Sequence, residues 1–327
     1  GSEVDSLPEK DNVILFPTLR RNLEQMEEES YELIENNDYE QALEKLKILL
    51  SHQYTSFDIN INTLHCLTKL GRWKETEQFN EMLLKNEDDE YYYDYLGYYI
   101  MILYEQNNYS ALMTTILEEE KKRHIPPPFN KKFKDIYRLC YQMNMMKANE
   151  LLHQFKTAIE EENHREQLFY IHQWVQLHVE PSEMIVHALR NNKVHPVVKT
   201  KILEVLKERN LTEKLTVEKF GREIEICPAQ LVDIKEQELF QTILDKLSEV
   251  EQNDPTLYAL IEQLVYQYHY VRYPFLFDVI EIDQLTEAFV FVGKKHLAMT
   301  SGVDEKIKDE VETIEICSQM YLNVMDH

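Results

Sequence analysis

A chain of 327 residues is long enough for one extended domain or two compact ones, and its 43% of hydrophobic residues can bury a sizeable core. Its 59 acidic side chains outnumber the 35 lysines and arginines, which gives a formal net charge of −24. This composition excludes a disordered acidic tail. The charge also repels nucleic-acid backbones and anionic membrane surfaces, so neither is an expected partner.

The N-terminal segment, residues 1–18, is predicted to be extended, and Gly1 and Ser2 are interpreted as an expression scar. Its apolar run VILF has no basic region before it, so neither a signal peptide nor a membrane span is expected. The four cysteines lie at least 74 residues apart, which gives no zinc or redox spacing. They indicate reduced thiols in a cytoplasmic protein.

The next feature is a repeated turn. NNDYEQALEKLKILL (36–50) joins a polar turn, an aromatic residue and an alanine to an apolar helical face, and LGRWKETEQFNEMLL (70–84) repeats this order 34 residues later. EQNNYSALMTTILEE (105–119) follows with its aromatic residue 36 positions further on. A period of 34 to 36 residues is typical of a helix-turn-helix repeat. The turn residues that carry the repeat are Tyr39, Ala42, Gly71, Trp73 and Tyr109.

On these residues, the chain resembles the tetratricopeptide repeat (TPR) family over residues 19–155, and its layout is similar to that of cytoplasmic TPR proteins of Gram-positive bacteria. The resemblance implies a mainly α fold, a right-handed helical-repeat solenoid whose corner aromatics are buried between helices. The family's closing proline is absent from all three copies. The apolar period continues through 133–155 with little of the motif, after a proline-rich connector at 126–128.

Beyond this region the periodicity changes twice. Residues 156–210 are predicted to form further helical hairpins, with Pro181 and Pro196 in the first turns of helices. Within 211–235 the apolar residues alternate around Gly221, which predicts a β-hairpin inserted between helical parts. Residues 236–327 are again expected to be helical. The hairpin should turn Leu215, Val217, Ile224 and Ile226 towards helices, and Glu218 and Glu223 towards solvent.

Catalytic motifs are missing from the sequence. Six glycines are too few and too scattered for a phosphate-binding loop or a dinucleotide fingerprint. The histidines around 164–195 lack the spacing of a helical zinc site, and no serine or cysteine carries a nucleophile signature. We therefore expect neither a cofactor nor a metal, and an enzyme is the third of three hypotheses.

Aromatic side chains are the stronger signal. EYYYDYLGYYIMILYEQ (90–106) carries seven tyrosines, more than one buried stripe uses, although repeat packing accounts for many of them. A second run, 266–277, is likewise interpreted either as a recognition surface or as core packing. In the TPR family the first helix of each repeat lines a groove. When the groove positions of the family are transferred to this chain, the resemblance implies these partner-binding residues: Glu24, Glu27, Tyr31, Asp94, Met101 and Tyr104.

The groove predicted in this way is acidic and aromatic. Family members that grip a C-terminal carboxylate use Lys and Asn where this chain has Glu27 and Tyr31, so that role is not expected. The first hypothesis is a scaffold or adaptor that binds a basic or neutral peptide segment of another protein. The alternative is a peptide-responsive regulator of a response regulator or transcription factor. The sequence leaves the oligomeric state open.

Overall fold

The computed structural model describes residues 5–6, 14–15, 17–275 and 281–325. Two short strands, β1 (Asp5–Ser6) and β2 (Ile14–Leu15), pair antiparallel. The rest of the segment expected to be extended, up to residue 16, lies outside the described residues. The chain divides into two compact units, Gly1–Cys140 and Tyr141–His327.

The first unit is built from helical hairpins. Helices α1 to α6 each pack against the next, and a long seventh helix, which continues into the second unit, follows the proline run. Their bounds are α1 (Pro17–Glu35), α2 (Tyr39–Ser51), α3 (Phe57–Lys69), α4 (Trp73–Leu84), α5 (Tyr92–Glu105), α6 (Tyr109–Lys122) and α7 (Phe129–Glu160).

Each predicted corner has the same backbone geometry. Asn37, Gly71 and Asn107 adopt positive φ angles of 61°, 70° and 58°. At each of them the helix closes with the paired 5→2 and 6→1 hydrogen bonds of a Schellman turn, as in Asn107 N to Tyr104 O and Asn108 N to Leu103 O. Glycine and asparagine tolerate this conformation best, which explains why the turn motif repeats.

The corner aromatics differ in burial. Tyr109 is buried, whereas Tyr39 and Trp73 are half-buried, so the expectation of burial holds fully only for the third copy. The position three residues after each aromatic is fully buried, with Ala42, Thr76 and Leu112 all 0% exposed. This position therefore sets how closely the second helix of each pair approaches its neighbours.

A further corner follows α7. The segment 133–155 lies within one 32-residue helix, and Glu162 then takes a φ of 52° before α8 begins at His164. Here Gln167 occupies the buried position, where its amide donates to Ala158 O and Lys193 O. Because the aromatic and the small residue are replaced by His and Gln, the turn motif does not reveal this corner.

The second unit continues with α8 (His164–Val175), α9 (Glu183–Ala188) and α10 (Pro196–Glu208). Pro196 occupies the first turn of α10, as predicted. The prediction for Pro181 was wrong. Ser182 is the N-cap of α9, so Pro181 lies one residue before the cap and outside the helix.

The predicted hairpin is confirmed. Strands β3 (Leu215–Lys219) and β4 (Arg222–Ile226) pair with Leu215 opposite Ile226 and Val217 opposite Ile224. Phe220 and Gly221 both have positive φ, which is the two-residue type I′ turn that suits strand twist. Leu215, Val217 and Ile226 are buried in the core of the unit, as the alternation predicted.

The prediction for Glu218 was wrong. Its side chain is only 12% exposed, and its carboxylate accepts a hydrogen bond from Lys199 Nζ of α10 at 2.8 Å. The Lys199 side chain is itself only 2% exposed, so the buried ammonium draws the carboxylate inward. Glu223, on the other strand, is exposed as expected.

The C-terminal region is helical and completes the core of the second unit. Helix α13 packs against α14, α15 and α10, and its buried face includes Leu264 and Val265. Residue 277, at the end of the second aromatic run, lies outside the described residues. The remaining helices are α11 (Glu238–Lys246), α12 (Ser248–Asn253), α13 (Pro255–Arg272), α14 (Ile282–His296) and α15 (Lys308–Met325).

Candidate partner-binding surface

The tyrosine-rich helix α5 uses several of its hydroxyls to join helices. Tyr95 accepts a hydrogen bond from Asn60 Nδ2 at 3.1 Å, and Tyr98 donates to Thr68 Oγ1 at 3.3 Å. Tyr92 and Tyr93 both donate to the carboxylate of Glu119 on α6. These contacts assign four of the seven tyrosines to the packing of the repeats.

Glu119 is also the centre of a charged network. It is 4% exposed and lies 3.1 Å from Arg123 Nε. Arg123 pairs with Glu87 as well, at 2.6 Å, and its guanidinium lies over the ring of Tyr92 at 5.2 Å. The buried carboxylate is therefore paired with one cation and accepts hydrogen bonds from two hydroxyls, as a buried charge requires.

The acidic residues of α1 meet another acid on α3. Burial raises the pKa of the Glu27 carboxyl, and the charges of Asp58 and then Glu24 raise it further. Burial likewise raises the pKa of the Tyr31 hydroxyl, followed by the charges of Glu27 and Asp58. The structure thus brings Glu24, Glu27 and Tyr31 together beside Asp58. Glu24 also forms an exposed ion pair with Arg20 at 3.2 Å.

Two aromatic residues next to this cluster, Tyr54 and Phe57, were not predicted, whereas Tyr91 belongs to the tyrosine run already singled out. The pKa of the Tyr54 hydroxyl is raised by burial and then by Glu27 and Glu24, so Tyr54 lies at the same acidic surface. Phe57 stacks on Tyr91 with ring centroids 4.3 Å apart, and the charge of Asp58 also acts on Tyr91. Tyr54 lies in a loop, outside the repeat motif, which is why the motif did not reveal it.

The predicted groove residues of α5 differ in exposure. Met101 is 40% exposed, Asp94 is half-buried, and Tyr104 packs its ring against Tyr109 with centroids 5.7 Å apart. Within the described residues, no hydrogen bond or ion pair joins these side chains to Glu24, Glu27 or Tyr31. That all six residues line one groove therefore stays a prediction.

No three His, Cys, Asp or Glu side chains among the described residues are grouped so that they could hold a metal ion. None of the helices in the described ranges combines the length and apolar character needed to cross a membrane.

Repeating helical pairs with a common corner, together with the β3–β4 hairpin, define this chain as a TPR-like helical-repeat protein. No protein-family model matches it. It is similar to a TPR repeat-containing protein, YsoA, of Bacillus subtilis strain 168, with 25% identity over 289 residues that cover 86% of this chain and 85% of that protein. The resemblance to TPR proteins of Gram-positive bacteria is confirmed, and it supports a role in protein interaction.

Proposed function

We propose that this protein is a non-enzymatic scaffold or adaptor that binds a basic or neutral peptide segment of a partner protein on its first unit. The partner surface combines the acidic cluster of Glu24, Glu27 and Asp58 with Tyr31 and the α5 residues predicted for the groove. We place the protein in the cytoplasm, where its unpaired cysteines suit a reducing environment.

The observation that carries the proposal is the proximity of Glu27, Glu24 and Asp58. Burial, and then the charges of Asp58 and Glu24, raise the pKa of the Glu27 carboxyl, so three carboxylates are held close together, and one of them, Glu24, is paired with Arg20. Such a cluster is electrostatically unfavourable in the free protein, and a lysine or arginine from a partner relieves the repulsion. An acidic partner would add to it, as would a free C-terminal carboxylate.

Aromatic residues supply the second part of the recognition. Tyr54 and Tyr31 lie at the acidic cluster, and Phe57 and Tyr91 stack beside Asp58. Tyrosine offers a large apolar area and a polar hydroxyl at low entropic cost, and it is enriched among residues that dominate binding energy. A peptide with basic and apolar residues in alternation would therefore match the surface best.

The test is a titration of three labelled peptides of equal length, one basic, one neutral and one acidic, followed by fluorescence anisotropy. We expect the affinity order basic, neutral, acidic, and a marked loss of basic-peptide affinity as salt is raised. Equal affinities for the basic and acidic peptides would overturn the proposal. Affinity capture with wild-type protein and with a Glu24→Lys/Glu27→Lys variant then identifies partners that depend on this surface.

A further inference from the structure

Two cavities in the second unit form a cleft that the proposed function does not use. Their volumes are about 380 Å³ and about 600 Å³, and both are lined by Lys235 and Tyr266. Helices α10, α13 and α15 and the turn at 233–236 supply the other walls. We name this region the tyrosine cleft, after its residues Tyr266, Tyr273 and Tyr321 and the buried Tyr270 beside them.

Glu204 interacts with each of these tyrosines. The hydroxyl of Tyr270, which is 2% exposed, donates to Glu204 Oε1 at 2.6 Å. Burial raises the pKa of Tyr266 to about 12, and the charge of Glu204 contributes. Burial and then the same charge raise the pKa of Tyr321, and burial, then Asp233 and then Glu204 raise that of Tyr273. One carboxylate is therefore close to four tyrosines.

No cation of the described chain is paired with this carboxylate. Three lysines line the larger cavity, Lys201, Lys207 and Lys235. Lys207 forms its ion pair with Asp233, and none of the three lies within ion-pair distance of Glu204 in the described residues. Glu204 therefore keeps acceptor capacity beyond the bond from Tyr270, in surroundings where aromatic walls reduce screening by water.

The cleft already holds one ammonium group. Lys235 Nζ lies 5.5 Å from the centroid of the Tyr266 ring, within the range of a cation–π contact. Lys235 is an exposed side chain on a turn, so it can leave this ring without loss of core packing. An incoming cation would compete with Lys235 for the face of Tyr266.

We propose that the tyrosine cleft binds an alkylammonium group, carried by a free aliphatic amine or by a lysine side chain. Glu204 is the counter-ion, and the rings of Tyr266 and Tyr321 contact the methylenes and the positive end. Carboxylate and tyrosine rings together are the chemistry that recognises ammonium groups. The site lies in the second unit and does not depend on the peptide surface of the first.

The experiment is a calorimetric titration of the full-length protein with cadaverine, with 1,5-pentanediol as the uncharged match. A blocked lysine, N-acetyl-lysine-N-methylamide, forms the second arm. We expect binding of an ammonium compound and none of the diol. Tighter binding of cadaverine assigns the site to free amines, and tighter binding of the blocked lysine assigns it to a side chain.

Three variants locate the binding. Glu204→Gln keeps an acceptor for Tyr270 and removes the charge, and should weaken affinity about tenfold. Lys235→Met removes the competing ammonium and should strengthen affinity severalfold, an effect that a purely structural role would not produce. Glu208→Gln, a charge removal on the rim of the larger cavity, should change affinity less than twofold. An equal response to diamine and diol, or unchanged affinity in Glu204→Gln, overturns the proposal.

Discussion

Lys199 Nζ lies 2.8 Å from Glu218 Oε2, and the two side chains are only 2% and 12% exposed. The same ammonium donates to the backbone carbonyl of Glu218 at 2.6 Å. This pair connects the hairpin to α10, so a charge of the inserted strands is buried in the helical unit. Removal of either partner leaves the other charge without compensation.

The first prediction follows from this pair. Glu218→Ala should destabilise the protein by about 3 kcal/mol, because Lys199 then remains buried without its carboxylate. The measurement is the urea midpoint and slope of unfolding. Glu223→Ala is the matched control, since Glu223 lies opposite Glu218 in the hairpin and is exposed. It should change stability by less than about 0.5 kcal/mol, and an equal loss in both variants would contradict the account.

The second prediction concerns acid stability. Burial, and then the charges of His164 and Lys219, lower the pKa of His195 from 6.5 to about 3. The unfolded chain therefore binds more protons than the folded one between these values, and stability is lost as the pH falls through that window. His195 also caps α10, where its Nδ1 accepts from Val197 N at 3.1 Å.

His195→Asn separates the two roles, because asparagine can cap a helix but does not titrate. Urea midpoints measured from pH 7 down to about pH 4 should fall more steeply in wild type than in the variant. Parallel curves for the two proteins would show that His195 does not contribute to the loss.

The third prediction concerns the contact between α13 and α14. A Cβ added at Gly293 would lie 2.6 Å from Ile261 Cγ1 and 3.2 Å from Leu257 Cδ1, and Ile261 is fully buried. Gly293→Ala should therefore cost about 2 kcal/mol, although alanine is the better helix former. Gly97→Ala is the control.

At Gly97 the added Cβ would meet Phe133 Cε1 at 3.8 Å, an ordinary contact, so helix propensity decides the result. Gly97→Ala should be neutral or stabilising by up to about 1 kcal/mol. Thermal unfolding of both variants measures the difference, and a stabilising Gly293→Ala would contradict the close packing of α13 and α14.

The fourth prediction concerns Tyr104 as an anchor for the partner. Tyr104→Ala should weaken basic-peptide binding about thirtyfold, or about 2 kcal/mol. Tyr99→Ala is the control, because Tyr99 is a half-buried tyrosine of the same helix whose pKa is raised by burial and then by the charges of Glu77 and Glu81 on α4. Equal affinities of the two variants, each with its circular dichroism spectrum retained, would remove Tyr104 from the binding surface.

Local backbone rules made much of the fold predictable. Asn37 and Gly71 mark the repeat corners because few residues tolerate their φ values, and the alternation around Gly221 fixed the register of the hairpin. Glu218 was misplaced because alternation defines two faces but does not reveal that Lys199 is buried opposite one of them. Pairing between distant residues is invisible to a local pattern.

The candidate surface was predictable only in part. The groove positions of the TPR family predicted Glu24, Glu27 and Tyr31 as binding residues, and the structure places them together. Tyr54 was missed because it belongs to a loop with no repeat signature. The tyrosine cleft was equally hidden, since Glu204 is separated from Tyr270 by 66 residues along the chain.

Charge reversal of the acidic cluster tests the central claim most directly. Fluorescence anisotropy would compare basic and acidic peptides on wild type and on Glu24→Lys/Glu27→Lys, with Glu32→Lys/Glu44→Lys as an exposed control pair in the same unit. The account predicts that reversal at 24 and 27 weakens the basic peptide at least about tenfold and favours the acidic one, while the control pair keeps the wild-type order. An unchanged preference for the basic peptide after reversal at 24 and 27 would contradict the account.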